Sequence, residues 1–219
     1  MKESRFKGNR IFQIVYPLLV YIIIYQVAAK LFITIMPQKF GALFGLFLAA
    51  YVTYPFIFRI YRKAPIVRCE KLFQKSDFRR DMLFLIAIIL VGICANLIIS
   101  HTPLVHVSEG YKAANRELFD GVLWVKILTT CVMIPILEET LFRGIIAGQL
   151  DLWYGHLTAS IVSAILFGAM HFNIVQLIYA VILGVLLGYC FVTTKKLWLC
   201  IFSHGLLNLT VVLITTFIS

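Results

Sequence analysis

The sequence predicts an all-α fold, a polytopic transmembrane bundle of about seven helices around a polar intramembrane cavity. Three observations lead there. Of the 219 residues, 61% are hydrophobic and only 14% charged, a balance far from that of an average soluble domain. Apolar runs of roughly 18 residues or more, long enough to cross a hydrocarbon core, recur about seven times. None alternates as a strand does, and lipid admits only helices or closed barrels.

In chain order the expected spans are Ile11 to Met36, Phe40 to Tyr61, Met82 to Ser100, Gly121 to Ala147, His156 to Phe172, Ile174 to Thr194 and Leu197 to Ile218. Only a short turn at Phe172 and Asn173 separates the fifth from the sixth. The first run, about 25 residues, is longer than the apolar region of a cleavable signal and is expected to be a retained helix. Between the third and fourth, residues 101–120 form the one sizeable external loop, and the whole chain, 1–219, is expected to be a single domain.

The formal charge of +10 suits a topology signal and not a nucleic-acid surface. Lys2, Arg5, Lys7 and Arg10 precede the first span. Arg59, Arg62, Lys63, Arg68, Lys71, Lys75, Arg79 and Arg80 crowd the second connection, and Lys195 and Lys196 mark the sixth. With seven spans all three clusters share one side, which the positive-inside rule makes cytoplasmic, with the N-terminus inside and the C-terminus outside. The opposite connections carry Lys30, Lys39, Lys112, Arg116 and Lys126, offset by Glu109, Glu117 and Asp120. The expected partner at this point is the lipid bilayer, and no nucleic acid. Cys69, Cys94, Cys131, Cys190 and Cys200 lack CxxC spacing and read as small apolar residues without a disulfide framework.

The fourth span departs from a generic bundle at Pro135-Ile-Leu-Glu138-Glu139-Thr-Leu-Phe-Arg143. A carboxylate near the bilayer centre costs about 2.5–3.5 kcal/mol on insertion scales, so such residues face a cavity or a partner and mark function. Glu139 and Arg143 are an i,i+4 pair in the favourable order, while Glu138 points about a quarter-turn away. Pro135 has no amide hydrogen and conflicts with the carbonyl of Cys131, which predicts a kink or polar opening. The bland alternative is a buried ion-pair cluster that only locks helices together.

His171 closes the expected fifth span, and His204 lies early in the seventh with Asn208 on the same face. A lone intramembrane histidine is usually a satisfied core residue. Two of them with an asparagine and a glutamate pair are least costly when gathered into one pocket between spans four, five and seven. His101, His106 and His156 have no such company and read as surface residues. Gly184 and Gly188 form a GxxxG that reads as internal packing.

The runs EETLFR, FGAMH and HGLLN fit the patterns EExxxR, FxxxH and HxxxN, in the order and approximate spacing of the CAAX protease and bacteriocin-processing family, also called the Abi family, which the chain resembles over Glu138 to Asn208. The resemblance implies peptide-bond hydrolysis within the membrane, in a cavity open to the cytoplasm, with the catalytic core inside residues 121–218. Carried over by position, it makes Glu138 the group that activates water with His171 as its partner. His204 and Asn208 become the oxyanion groups, and Glu139 and Arg143 the accompanying pair. No serine or cysteine nucleophile is needed. The family's eukaryotic relatives have eight spans, against the seven expected here.

The family has also been described as metalloproteases. Glu138, His171 and His204 could form a two-histidine, one-carboxylate zinc site, although HExxH is absent, so the expected cofactor is none or zinc. Intramembrane carboxylates and histidines also build proton relays, which leaves a small transporter as one alternative and a noncatalytic bacteriocin-immunity scaffold as another. A compact chain suits a bacterial member acting on peptides, and the resemblance alone does not make them lipidated.

Overall fold

The computed structural model describes residues 9–36, 41–64, 78–113 and 121–217, which form an all-α bundle with no strand among them. Helices α1 (Arg10–Ile35) and α2 (Gly41–Lys63) pack against each other. Helix α3 (Phe78–Ser100) is followed by the short α4 (Leu104–Val107). A single rod, α5, covers residues 123–154. The chain then folds through α6 (His156–Ala169), α7 (Ile174–Thr194) and α8 (Leu197–Phe217).

Among the described residues five helices, α1, α2, α3, α7 and α8, are long and apolar enough to cross a membrane by length and composition. Their outer faces suit lipid: α1 turns Ile11, Leu19, Ile23, Val27 and Leu31 outward, and α3 does so with Leu83, Leu90 and Ile98. The close-packed core lies inward, where Leu137, Leu141 and Ile145 of α5 meet Ile57, Ile88, Leu187 and Leu207.

The rod departs from uniform α-helix at Ile127–Met133 and Thr140–Ala147, where hydrogen bonding is π-helical. Ile134 N–H donates to Thr129 O, and Gly148 N–H to Arg143 O, each five residues back. All junctions keep right-handed helical angles, so the rod stays continuous through Pro135. It ends at Tyr154, seven residues beyond the expected Ala147, because Gly155 takes φ 82° and reverses the chain.

The expected fifth span is shorter than the sequence suggests. α6 has 14 residues, about 21 Å, and stops at Ala169. Phe172 then takes φ 54°, which breaks the helical run, and Asn173 caps α7 by accepting from Gln176 N–H at 2.9 Å. His171 therefore sits in the turn between α6 and α7 and not on a helix. Within this hairpin Gly184 and Gly188 work as internal packing. A Cβ on Gly184 would lie 2.9 Å from Ala164 Cα, and one on Gly188 3.0 Å from Ser160 Cα.

The described basic residues Arg10, Arg59, Arg62, Lys63, Arg79, Arg80, Lys195 and Lys196 lie at the start of α1, the end of α2, the start of α3 and the turn between α7 and α8. Contacts tie several of these ends together. The Arg10 guanidinium lies 5.6 Å from the Trp153 ring centroid at the end of α5, and Lys196 reaches Asp81 in the first turn of α3. Phe40, Ile218, Lys2, Arg5, Lys7, Lys39, Arg68, Cys69, Lys71, Lys75, Arg116, Glu117 and Asp120 lie outside the described residues. The described cysteines are free thiols; Cys190 and Cys200 are buried, while Cys94 faces outward.

Candidate active site

Glu139 of α5 is completely buried and carries one of the expected pairings, its Oε1 accepting from Arg143 Nη1 at 3.0 Å one turn away. The same oxygen accepts from His204 Nδ1 of α8 at 2.8 Å. Arg143 is equally sealed; its Nη2 donates to the Gly184 carbonyl at 3.3 Å, and its guanidinium lies 4.6 Å from the Phe167 ring centroid. A side chain at position 184 would crowd this contact, since its Cβ would come 3.4 Å from Arg143 Nη2. One carboxylate, one guanidinium and one imidazole thus join α5, α7 and α8.

Glu138, the adjacent carboxylate, is only partly buried and makes no hydrogen bond among the described residues. It lies within electrostatic reach of His171, His204 and Arg143. Tyr21 of α1, 8% exposed, also lies within electrostatic reach of it. The quarter-turn between the two glutamates separates a carboxylate held through one oxygen by two donors from one that no donor holds among the described residues.

His171 is placed by Phe167. Its Nδ1–H donates to the Phe167 carbonyl at 3.0 Å, and the two rings meet edge to face with centroids 5.1 Å apart. The His204 ring stands 6.0 Å from the same Phe167 ring. Because a carbonyl and an ionised carboxylate can only accept, both imidazoles hold their proton on Nδ1, and the neutral rings present a bare Nε2.

Asn208 is partly committed to the backbone. Its Nδ2 donates at 2.8 Å to the Thr130 carbonyl. In the π-helical register that carbonyl would accept from the residue five positions on, which is Pro135 and has no N–H. The sequence pointed instead to Cys131, the partner of Pro135 in an α-helix. With the register shifted, the Cys131 carbonyl faces Gly205, where a Cβ would lie only 2.3 Å from the oxygen. α8 can approach α5 here because residue 205 has no side chain, and the approach brings His204 to Glu139.

All six expected residues therefore fall in one neighbourhood of α5, the α6–α7 turn and α8. α5 runs past the expected Ala147 to Tyr154. Glu138 is then about 24 Å from the end of its helix, and His171 about 22 Å along from the start of α6. Two hydrogen-bonded imidazoles with bare Nε2 atoms resemble a metal-ligand set. Among the described residues, however, no three His, Cys, Asp or Glu side chains converge as ion ligands. A cleft at the basic end, bordered by Tyr16, Pro17, Ile60 and Gln149, has none of the charged cluster in its walls.

Several contributors were not singled out from the sequence. Phe167 stood in the FGAMH run with its i,i+4 relation to His171 in view, whereas Tyr21, over a hundred positions away, carried no local signal. His156, expected as an isolated surface group, is exposed but pairs with Asp151, which also takes Lys195. Burial works to raise the Asp151 pKa, and the hydrogen bonds from Lys195 and His156 outweigh it, holding the carboxyl below its ordinary value.

The fold and this cluster define a class: a polytopic α-helical membrane protein with a buried glutamate–arginine–histidine constellation between its spans. Residues 120–210 match the family model described as type II CAAX prenyl endopeptidase Rce1-like. A Bacillus subtilis (strain 168) protein named "Putative membrane peptidase YdiL" is 26% identical over 143 residues, covering 64% of this chain and 59% of that protein. The alignment thus spans less than two thirds of that relative's length. No solved structure matches the chain.

Proposed function

We propose that the protein is an intramembrane endopeptidase that cleaves peptide bonds of membrane-associated peptides or proteins, with Glu138 as the group that activates water. The observation that carries this is the division of labour between adjacent carboxylates: Glu139 is held by Arg143 and His204, while Glu138 makes no hydrogen bond among the described residues. The match of residues 120–210 to a peptidase family supports the same reading.

The reaction follows from these groups. Water loses a proton to Glu138 as its oxygen attacks the carbonyl carbon, with the His171 Nε2 lone pair accepting from the same water. The carbonyl oxygen gains the electron pair. His204 donates to it from Nε2 when both ring nitrogens carry a proton, its Nδ1–H staying on Glu139. Asn208 keeps a second amide hydrogen for the same oxygen after serving Thr130. Collapse breaks the C–N bond, and the proton held by Glu138 passes to the leaving amine. Zinc enters no step.

Positive-inside orientation makes the basic end cytoplasmic, the N-terminus inside and the C-terminus outside. Lipidated as well as unlipidated peptides belong in the substrate panel. The test is cleavage of fluorogenic peptides by the protein reconstituted in liposomes, alongside His171→Ala, with and without chelator. We expect cleavage that resists chelation and falls by about 10²–10⁴-fold in the variant. Chelator loss restored by zinc would replace the metal-free mechanism. Full activity in His171→Ala would remove His171 from it, and ion flux without cleavage would favour a transporter.

A further inference from the structure

At the basic end of the bundle, Lys196 is buried to 2% in the two-residue turn between α7 and α8, and its Nζ lies 2.6 Å from Asp81 Oδ2 in the first turn of α3. Both charges are largely out of water, so their attraction is offset by desolvation, and such a pair is weak evidence of stabilisation. Its best-attested use is registry.

A second contact between the same helices shows what that registry is. Gly92 of α3 receives the Leu207 side chain so closely that a Cβ at position 92 would lie 2.4 Å from Leu207 Cδ2. Asp81 to Gly92 is eleven positions, and Lys196 to Leu207 is also eleven. The helices therefore run parallel and in step over about 16 Å. Between the two contacts α8 carries His204 and Gly205, which meet Glu139 and the Cys131 carbonyl. Along this stretch α3 also buries Ile88 in the apolar core, and aliphatic surface lets one helix slip along another at smaller cost than a charge pair does. A slip of one turn would move His204 about 5.4 Å along α8 and away from Glu139.

We propose that the Asp81–Lys196 ion pair is a register pin between α3 and α8, making both of them positioning residues that hold His204 on Glu139. Asp81 lies outside residues 120–210, so the pin ties the family-matched segment to the earlier part of the chain. Its catalytic consequence rests on the peptidase reading, whereas its structural consequence does not.

The test replaces the pair by apolar residues of similar size, Asp81→Leu with Lys196→Met, which removes both charges and orphans neither. Thermal unfolding reports stability, and ¹⁵N-histidine NMR reports the exchange-protected Nδ1–H of His204. Peptide cleavage gives kcat and KM, with Lys196→Arg as the charge-preserving control. A register pin predicts unfolding near that of the unaltered protein, loss of the protected His204 signal and kcat lower by about a hundredfold at similar KM, with Lys196→Arg retaining signal and activity. An apolar pair that keeps the His204 signal would overturn the pin. If the unaltered protein shows the signal, the apolar pair loses it and neither cleaves any peptide, the pin stands and the peptidase reading falls.

Discussion

Glu139 Oε1 receives two donors, Arg143 Nη1 and His204 Nδ1, in a site closed to solvent. Removing a partner there should cost far more than the net worth of the interaction, because a buried charge is left alone. Arg143→Met is accordingly expected to lower stability by about 3–5 kcal/mol, seen as a large drop in Tm in detergent. Glu138→Gln, which orphans nothing among the described residues, should melt with the unaltered protein. Equal Tm values for the two variants would contradict this division of the pair. Sequence spacing alone gave the Glu139–Arg143 bond and set Glu138 on another face. It did not give the His204 bond, since nothing local records which carboxylate a histidine sixty-five positions away will meet.

The rod α5 shows how one backbone defect is absorbed by another element. Pro135 cannot donate to Thr130 O, and Asn208 of α8 supplies the missing hydrogen. Asn208→Ala should therefore destabilise the protein by about 1–3 kcal/mol by leaving a buried carbonyl unpaired. Pro135→Ala in the same chain, by restoring an N–H, should recover most of the loss. A double-mutant cycle of unfolding free energies reads this directly: additive losses would mean that Asn208 does not serve the proline gap. A defect at Pro135 was legible because proline has no donor. The carbonyl affected was not, since a π-helical register moves the missing acceptor from Cys131 to Thr130. For the same reason His171 was assigned to a helix: the left-handed Phe172 that ends the run has no glycine or proline to announce it.

Across the whole molecule, the apolar runs and the clustering of Lys and Arg were enough to define an all-α membrane bundle. The composition of a span states plainly that it avoids water. How spans are staggered is set by contacts such as Gly92 with Leu207 and Asp81 with Lys196, between positions far apart in sequence. Lys195 and Lys196 illustrate the limit. As sequence they are a charge signal at a membrane edge, yet in the fold each binds a different carboxylate, Asp151 and Asp81, joining α5 and α3 to the turn before α8. The six motif residues converge for a related physical reason: polar groups in an apolar interior are least costly together, so their clustering could be anticipated when their individual bonds could not.

The most direct test of the central claim is the initial cleavage rate of Glu138→Gln in liposomes, measured on protein whose Tm matches that of the unaltered chain. The account predicts a folded protein whose rate is lower by about 10²–10⁴-fold. A matched Tm with an unchanged rate would show that Glu138 is not the group that activates water and would contradict the proposed site.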